Sequence, residues 1–266
     1  VTRRILVHPG FHKTGTTSLQ DALADNPVLL APHLQVIGRE DMPGVCRAAK
    51  AYSETRDPAD LGFFGYEVAA LLEAQDMSDP RPLFITSEDL AGHLVGRRGV
   101  ADYAAAPDLA GVVASVVRQV AGTGAALSFL VTTRRHGWLK SCYWQLLLRD
   151  RLCLDEADFK ARHRGAADLG SAAEAMRRAV APCPLVHRAL EDMTGPLGPL
   201  DPVFDLLDLP GPLRARLTPP RRRNTKGGPK LRARMLAVNR SDMSDQDALV
   251  RRRRMLRRWR ARHGLE

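Results

Sequence analysis

Apolar positions alternate along the chain between short compact runs and stripes at helical spacing. Ile5-Leu6-Val7 is a run closed by Pro9-Gly10, which predicts a buried strand. Leu19, Ala22 and Leu23 then share one face of a helix that Asn26-Pro27 ends, and Leu34–Ile37 predicts a second short strand. Helices are expected over about 44–52 and 63–76, the latter through Phe64, Val68, Leu71 and Leu72. Pro82–Ile85 is another apolar run, ending in Thr86-Ser87-Glu88-Asp89. An Ala/Val-rich helix with an N-cap-like Asp108 is predicted over 107–121, and Ala125–Val131 is apolar enough to be a central strand. Helical patterns follow over 138–146 and 155–180, a strand over 184–187, a short helix over 200–207 and an amphipathic helix over about 244–263. Strands alternating with helices predict an α/β protein: a mainly parallel sheet with helices on both faces.

Composition narrows the class. Hydrophobic residues at 44% and charged residues at 26% are those of a globular chain that buries a core, and 266 residues suit one large domain. A single domain over 1–266 is expected, with a helical insertion at about 151–181 and a basic extension at about 221–266. No apolar run approaches the ~20 residues that cross a bilayer, and Val1-Thr2-Arg3-Arg4 leads into the first strand without signal-peptide patterning. A cytoplasmic protein is expected. Cys46, Cys142, Cys153 and Cys183 lack ligand spacing, so free thiols are expected and no metal site. The net charge of +10 is concentrated toward the C-terminus, which favours an anionic ligand or polymer.

The chemistry centres on the stretch between the first strand and helix, Pro9-Gly10-Phe11-His12-Lys13-Thr14-Gly15-Thr16-Thr17-Ser18. Gly10 and Gly15 permit close backbone approach, and a helix N-terminus presents amides and partial positive charge to an anion. Lys13 adds a cation; Thr14, Thr16, Thr17 and Ser18 add hydroxyls. The glycine spacing is that of the nucleotide P-loop, but Thr16 stands where that motif needs lysine. Lys-Thr-Gly-Thr-Thr instead resembles the 5′-phosphosulfate loop of sulfotransferases that use 3′-phosphoadenosine 5′-phosphosulfate (PAPS). The resemblance implies a P-loop-like sulfotransferase fold, with His12 through Ser18 as the donor-binding stretch and Lys13 touching the transferring group.

Three further segments resemble parts of the same family. Ile85-Thr86-Ser87-Glu88 looks like a strand end whose glutamate serves as base in carbohydrate and tyrosylprotein branches, which makes Glu88 the candidate base; capping of the next helix explains the same residues locally. Thr132-Thr133-Arg134-Arg135, followed by Ser141 on a helix, resembles the 3′-phosphate site. The arginine-to-serine spacing is one short of the family's, and Arg134 with Ser141 is the favoured pair over Arg135. Arg223-Asn224-Thr225-Lys226-Gly227 looks like the late loop over the donor, with Arg223, Asn224 and Lys226 as contacts. Phe63 and Tyr66 are expected in the packing, with an acceptor pocket as the other option.

The implied reaction moves a sulfuryl group from PAPS to an acceptor hydroxyl, with a glycan favoured, leaving 3′-phosphoadenosine 5′-phosphate (PAP). Two alternatives stay open: a P-loop kinase, with Glu88-Asp89 toward magnesium, and a non-catalytic anion- or glycan-binding protein on the same fold. The final helix, with Arg251–Arg254 and Arg257-Arg258-Trp259-Arg260, is expected to expose a basic face.

Overall fold

The computed structural model describes residues 3–122, 125–220 and 227–264. Five strands, β1 Arg4–His8, β2 Gln35–Ile37, β3 Leu83–Thr86, β4 Ala126–Thr133 and β5 Leu185–Ala189, alternate with helices. The helices are α1 Thr16–Ala24, α2 Pro27–Leu30, α3 Pro43–Thr55, α4 Pro58–Glu73, α5 Ala106–Ala121 and α6 Trp138–Arg149. They continue as α7 Glu156–Arg162, α8 Leu169–Val180, α9 Asp201–Leu207, α10 Gly211–Arg216, α11 Pro229–Asn239 and α12 Asp245–Arg262. The described residues divide into two compact units, one within Val1–Leu94, Tyr103–His136 and Asp168–Arg222, the other within Val95–Asp102, Gly137–Ala167 and Arg223–Glu266.

The first unit holds the sheet, in the order β2-β3-β1-β4-β5. Every neighbouring pair is parallel. A parallel sheet needs cover on both faces, and side chains alternate to supply it. Leu6, Phe84 and Leu130 face one layer, packing with Leu19 of α1 and with Val203 and Phe204 of α9. Val7 and Ile85 face the other, against Val45, Val68 and Val113 of α3, α4 and α5. Each such side chain fully buried contributes about 2 kcal/mol of apolar transfer. Because β3 and β4 flank β1 on opposite sides, the connections after the central strand part company there. The crevice beyond the carboxyl ends of β1 and β4 is therefore the place where an open α/β sheet offers a ligand site.

The second unit consists of α6, α7, α11 and α12 with their connections. Its polar centre is Asn239, whose amide donates to the Leu147 and Leu152 carbonyls at 3.0 and 2.8 Å. Arg252 is fully buried, donating to Leu148 O at 2.9 Å and to Asn239 Oδ1 at 2.5 Å. These bonds join α12 to α6 and α11.

Several expectations need correction. Asp108 does not cap α5; Ala105 is the capping position and Asp108 lies in the first turn, where its charge suits the helix dipole. Arg252 is not part of the exposed basic face, because its helical phase turns it inward with Ala248 and Leu256. Pro229 and Lys230 begin α11 rather than continue a loop. Phe63 and Tyr66 are 54% and 67% exposed: on α4, Phe64, Val68 and Leu72 occupy the inner face, and these two aromatics fall opposite it.

Candidate functional site

The loop after β1 is wound tightly. Gly10 and Gly15 have φ of 99° and 110°, and Lys13 has φ of 64°, left-handed backbone that a non-glycine residue holds only when its surroundings impose it. Two backbone bonds impose it from β4: Phe11 N–H donates to Thr132 O at 3.0 Å, and Thr132 N–H donates to Gly10 O at 2.9 Å. A side chain at Gly10 would put its Cβ 3.0 Å from Glu88 Cα, and one at Gly15 would meet Leu190 and Pro199 within 3.0 Å. Close approach on two sides, added to positive φ, accounts for both glycines.

The hydroxyls of the loop divide by depth. Thr14 is fully buried, its hydroxyl donating to Phe11 O at 2.5 Å and lying 2.7 Å from Thr132 Oγ1. Thr16 is also buried, with its hydroxyl 3.4 Å from Phe11 O. Both brace the loop from beneath. Lys13, Gly15 and Ser18 are half-buried and Thr17 is exposed, so these four form the accessible side. Gly15 is the N-cap of α1, and no side chain caps the helix there. The first-turn amides of any helix have no carbonyl four residues back, which leaves this end chemically suited to an anion.

Beneath the loop, His8 ties the three middle strands together. Its Nδ1 lies 2.9 Å from Thr86 Oγ1 on β3 and its Nε2 lies 3.1 Å from Thr132 Oγ1 on β4. Complete burial lowers its pKa to about 4, so the ring is neutral at physiological pH.

Glu88 follows β3 at the head of a short 3₁₀ turn, half-buried, and accepts from Gln20 Nε2 at 3.4 Å. Ser87 caps that turn, accepting from Asp89 N–H at 3.1 Å, which is the local capping role available to it in the sequence. Its neighbour Asp89 is the charge centre of this corner. The buried carboxylate faces His12 Nε2 at 3.5 Å, Arg39 Nε at 3.1 Å and Lys50 Nζ at 3.3 Å. Burial alone would raise its pKa, but the His12 bond and the charges of His12, Lys50 and Arg39 outweigh it and hold the group down at about 2. His12 is itself buried, with its N–H donating to Tyr103 Oη at 3.2 Å and its Nδ1 3.0 Å from the same oxygen. His12 thus anchors the loop between Asp89 and Tyr103. Arg39, Lys50 and Tyr103 were not legible as residues of this corner, because they come from separate elements with no shared motif.

Both arginines after β4 are hydrogen-bonded. Arg135 pairs with the Asp192 carboxylate through both terminal nitrogens, and its N–H donates to Glu191 at 3.1 Å. Arg134 donates from Nε to His136 O at 2.8 Å. Ser141 lies in the second unit, in the first turn of α6, buried, with its hydroxyl donating to Gly137 O at 3.0 Å. Arg223, Asn224 and Lys226 lie outside the described residues. Lys13, His12, Thr14, Gly15, Thr16, Thr17, Ser18, Glu88 and Arg134 all belong to the sheet unit, on the connections that leave β1, β3 and β4 and in the first turn of α1.

The chain matches no protein-family model, no curated protein and no solved structure.

Proposed function

We propose that this protein is a PAPS-dependent sulfotransferase acting on an acceptor hydroxyl, with a glycan hydroxyl favoured by the basic surface and by the likeness of Glu88 to the carbohydrate branch. One observation carries the reading: the Lys-Thr-Gly-Thr-Thr loop leaves the central strand of a parallel sheet and runs straight into a helix N-terminus, with Lys13, Thr17 and Ser18 on its accessible side. Such a loop suits a 5′-phosphosulfate because amides, helix dipole and lysine all favour the same anion.

In this scheme the amides at the start of α1, with Lys13, Thr17 and Ser18, bind the donor's 5′ end. Buried Thr14 and Thr16 keep the loop in shape, as does His12. Arg134, whose planar fork suits a phosphate group, is assigned the donor's 3′-phosphate. Glu88, next to Gly10, accepts the acceptor's proton. The donor supplies an activated sulfuryl group: the bond from acceptor oxygen to sulfur forms as the bond from sulfur to the 5′-phosphate oxygen breaks, releasing PAP. Lys13 offsets the charge that grows on the departing phosphate, and positioning does the rest. The scheme uses no metal. A cytoplasmic setting goes with it, in keeping with four free thiols.

The test is calorimetric titration of the full chain with PAP, ADP and ATP with magnesium. PAP is expected to bind preferentially, and Lys13→Ala is expected to weaken it about tenfold or more. Binding of ATP with magnesium alone would make the protein a kinase, and binding of no nucleotide would leave an anion- or glycan-binding protein.

A further inference from the structure

Outside the loop site, two surfaces of opposite character stand out. The first is the solvent face of α4. Ala59, Phe63, Tyr66 and Ala70 recur there at helical spacing and are exposed, with the Phe63 and Tyr66 rings stacked 6.2 Å apart. A solvent-facing aromatic pair of this kind is unusual on a chain whose aromatic content is only 5%. The segment that carries the pair is acidic. From Asp57 to Pro80 the chain carries six carboxylates and no lysine or arginine, and Asp60, Glu67 and Glu73 lie on α4 itself.

The second surface is a trough between α11 and α12. It consists of two adjoining hollows of about 810 and 530 Å³ that share Arg234, Met255 and Arg258. Its floor is apolar, formed by Val238, Met255 and Trp259, and the half-exposed Val250 adds to the lining. Its rim carries Arg234, Arg251, Arg254 and Arg258, with Asp247 at one end. Residues 227–264 hold twelve Lys and Arg against three Asp, a net +9 of the whole chain's +10. Arginine stems can cover apolar surface while their heads stay available to carboxylates.

We infer that α4 of one copy docks in the α11–α12 trough of a second copy. Length agrees: the 16 residues of α4 extend about 24 Å, and the trough from Asp247 to Arg262 follows α12 for about 22 Å. Chemistry agrees as well. An amphipathic helix places apolar anchors at every third or fourth position into a groove, and here the anchors are Phe63 and Tyr66 while the flanking carboxylates meet the arginine rim. A nucleic acid or an anionic bilayer would satisfy the arginines, yet a phosphate backbone leaves the apolar floor without a partner and a bilayer is too flat to follow a concave one. The contact joins two different surfaces, so it is heterologous. Association therefore runs past two chains unless the rotation closes a ring. One helix in one groove is a small interface, about 1,200 Å² in total, which places the association in the micromolar range. The contact is independent of the sulfuryl transfer proposed above.

Sedimentation velocity on the full chain between about 5 and 200 micromolar, at low and high salt, tests this. The average mass of the wild type is expected to rise with concentration, less so at high salt. Phe63→Glu on the helix and Arg254→Glu on the trough rim are each expected to weaken association about tenfold or more. Each variant keeps the surface the other has lost, so an equimolar mixture is expected to form a 1:1 pair that stops at two chains. That rescue demands two folded variants and a heterologous contact together. A wild type that stays a single chain at every concentration would overturn the inference, as would variants that associate normally or a mixture that fails to pair. Tight binding of a 20-base-pair duplex or of phosphatidylserine vesicles by a monomeric wild type, lost in Arg254→Glu, would assign the trough to a polyanion instead.

Discussion

His8 makes a quantitative prediction about acid stability. It is buried in the middle of the sheet, hydrogen-bonded to Thr86 on one neighbouring strand and Thr132 on the other, and burial lowers its pKa to about 4. An unfolded histidine titrates near 6.5. Between these values the unfolded chain takes up a proton that the folded chain refuses, so protons favour unfolding as pH falls. The stability present above about pH 6.5 is lost progressively down to about pH 4, at 1.36 kcal/mol per pH unit of difference. The full difference amounts to about 3.4 kcal/mol, and about 2 kcal/mol of it is lost between pH 7 and pH 5. Asp89, held down at about 2, loses its contribution only as pH falls below the ordinary carboxylate range, outside that interval. His187, lowered by burial and by neighbouring Arg177 and Arg188, titrates in both proteins and cancels in a comparison. The assay is urea denaturation at pH 7 and pH 5 for wild type and His8→Gln, whose amide can still bond both threonines. The wild type should lose about 2 kcal/mol more than the variant over this interval. Equal losses in the two proteins would refute the reasoning, because they would mean that His8 takes up its proton without unfolding.

The remaining predictions concern the loop and its surroundings. Gly10→Ala should destabilise the fold by about 1–3 kcal/mol in denaturant titration and abolish PAP binding, since it combines φ of 99° with a Cβ 3.0 Å from Glu88 Cα. Arg134→Ala should weaken PAP by about tenfold or more in calorimetry, whereas Arg135→Ala, already engaged with Asp192, should change it by less than about threefold. Glu88→Gln should leave PAP affinity intact and lower turnover on a hydroxyl acceptor by about 10²-fold or more, measured as PAP release; full turnover would move the base elsewhere.

How much of this was legible from the chain depended on how local each cause is. The run Ile5-Leu6-Val7 and the phase of Leu19, Ala22 and Leu23 determined a strand, a loop and a helix, and the glycines between them marked a tightly wound loop that ends at a helix N-terminus, because backbone freedom is a property of consecutive residues. Continuous apolar strands likewise determined a parallel sheet buried on both faces. What the sequence could not express is which distant residues meet. Only the tertiary structure turned Thr14 and Thr16 inward against Phe11 and Thr132, joined His12 to Asp89 and Tyr103, and gave Arg135 to Asp192. It also decided which stripe of a helix faces solvent. Phe63 and Tyr66 share helical spacing with core residues, yet α4 buries Phe64, Val68 and Leu72 and leaves the aromatic pair outside. Arg252 sits in a run of four arginines and is the one turned inward, because α12 packs that phase against α6 and α11. Local pattern specifies an element and its chemistry; the partners of a side chain follow from how elements separated by many residues are brought together in space.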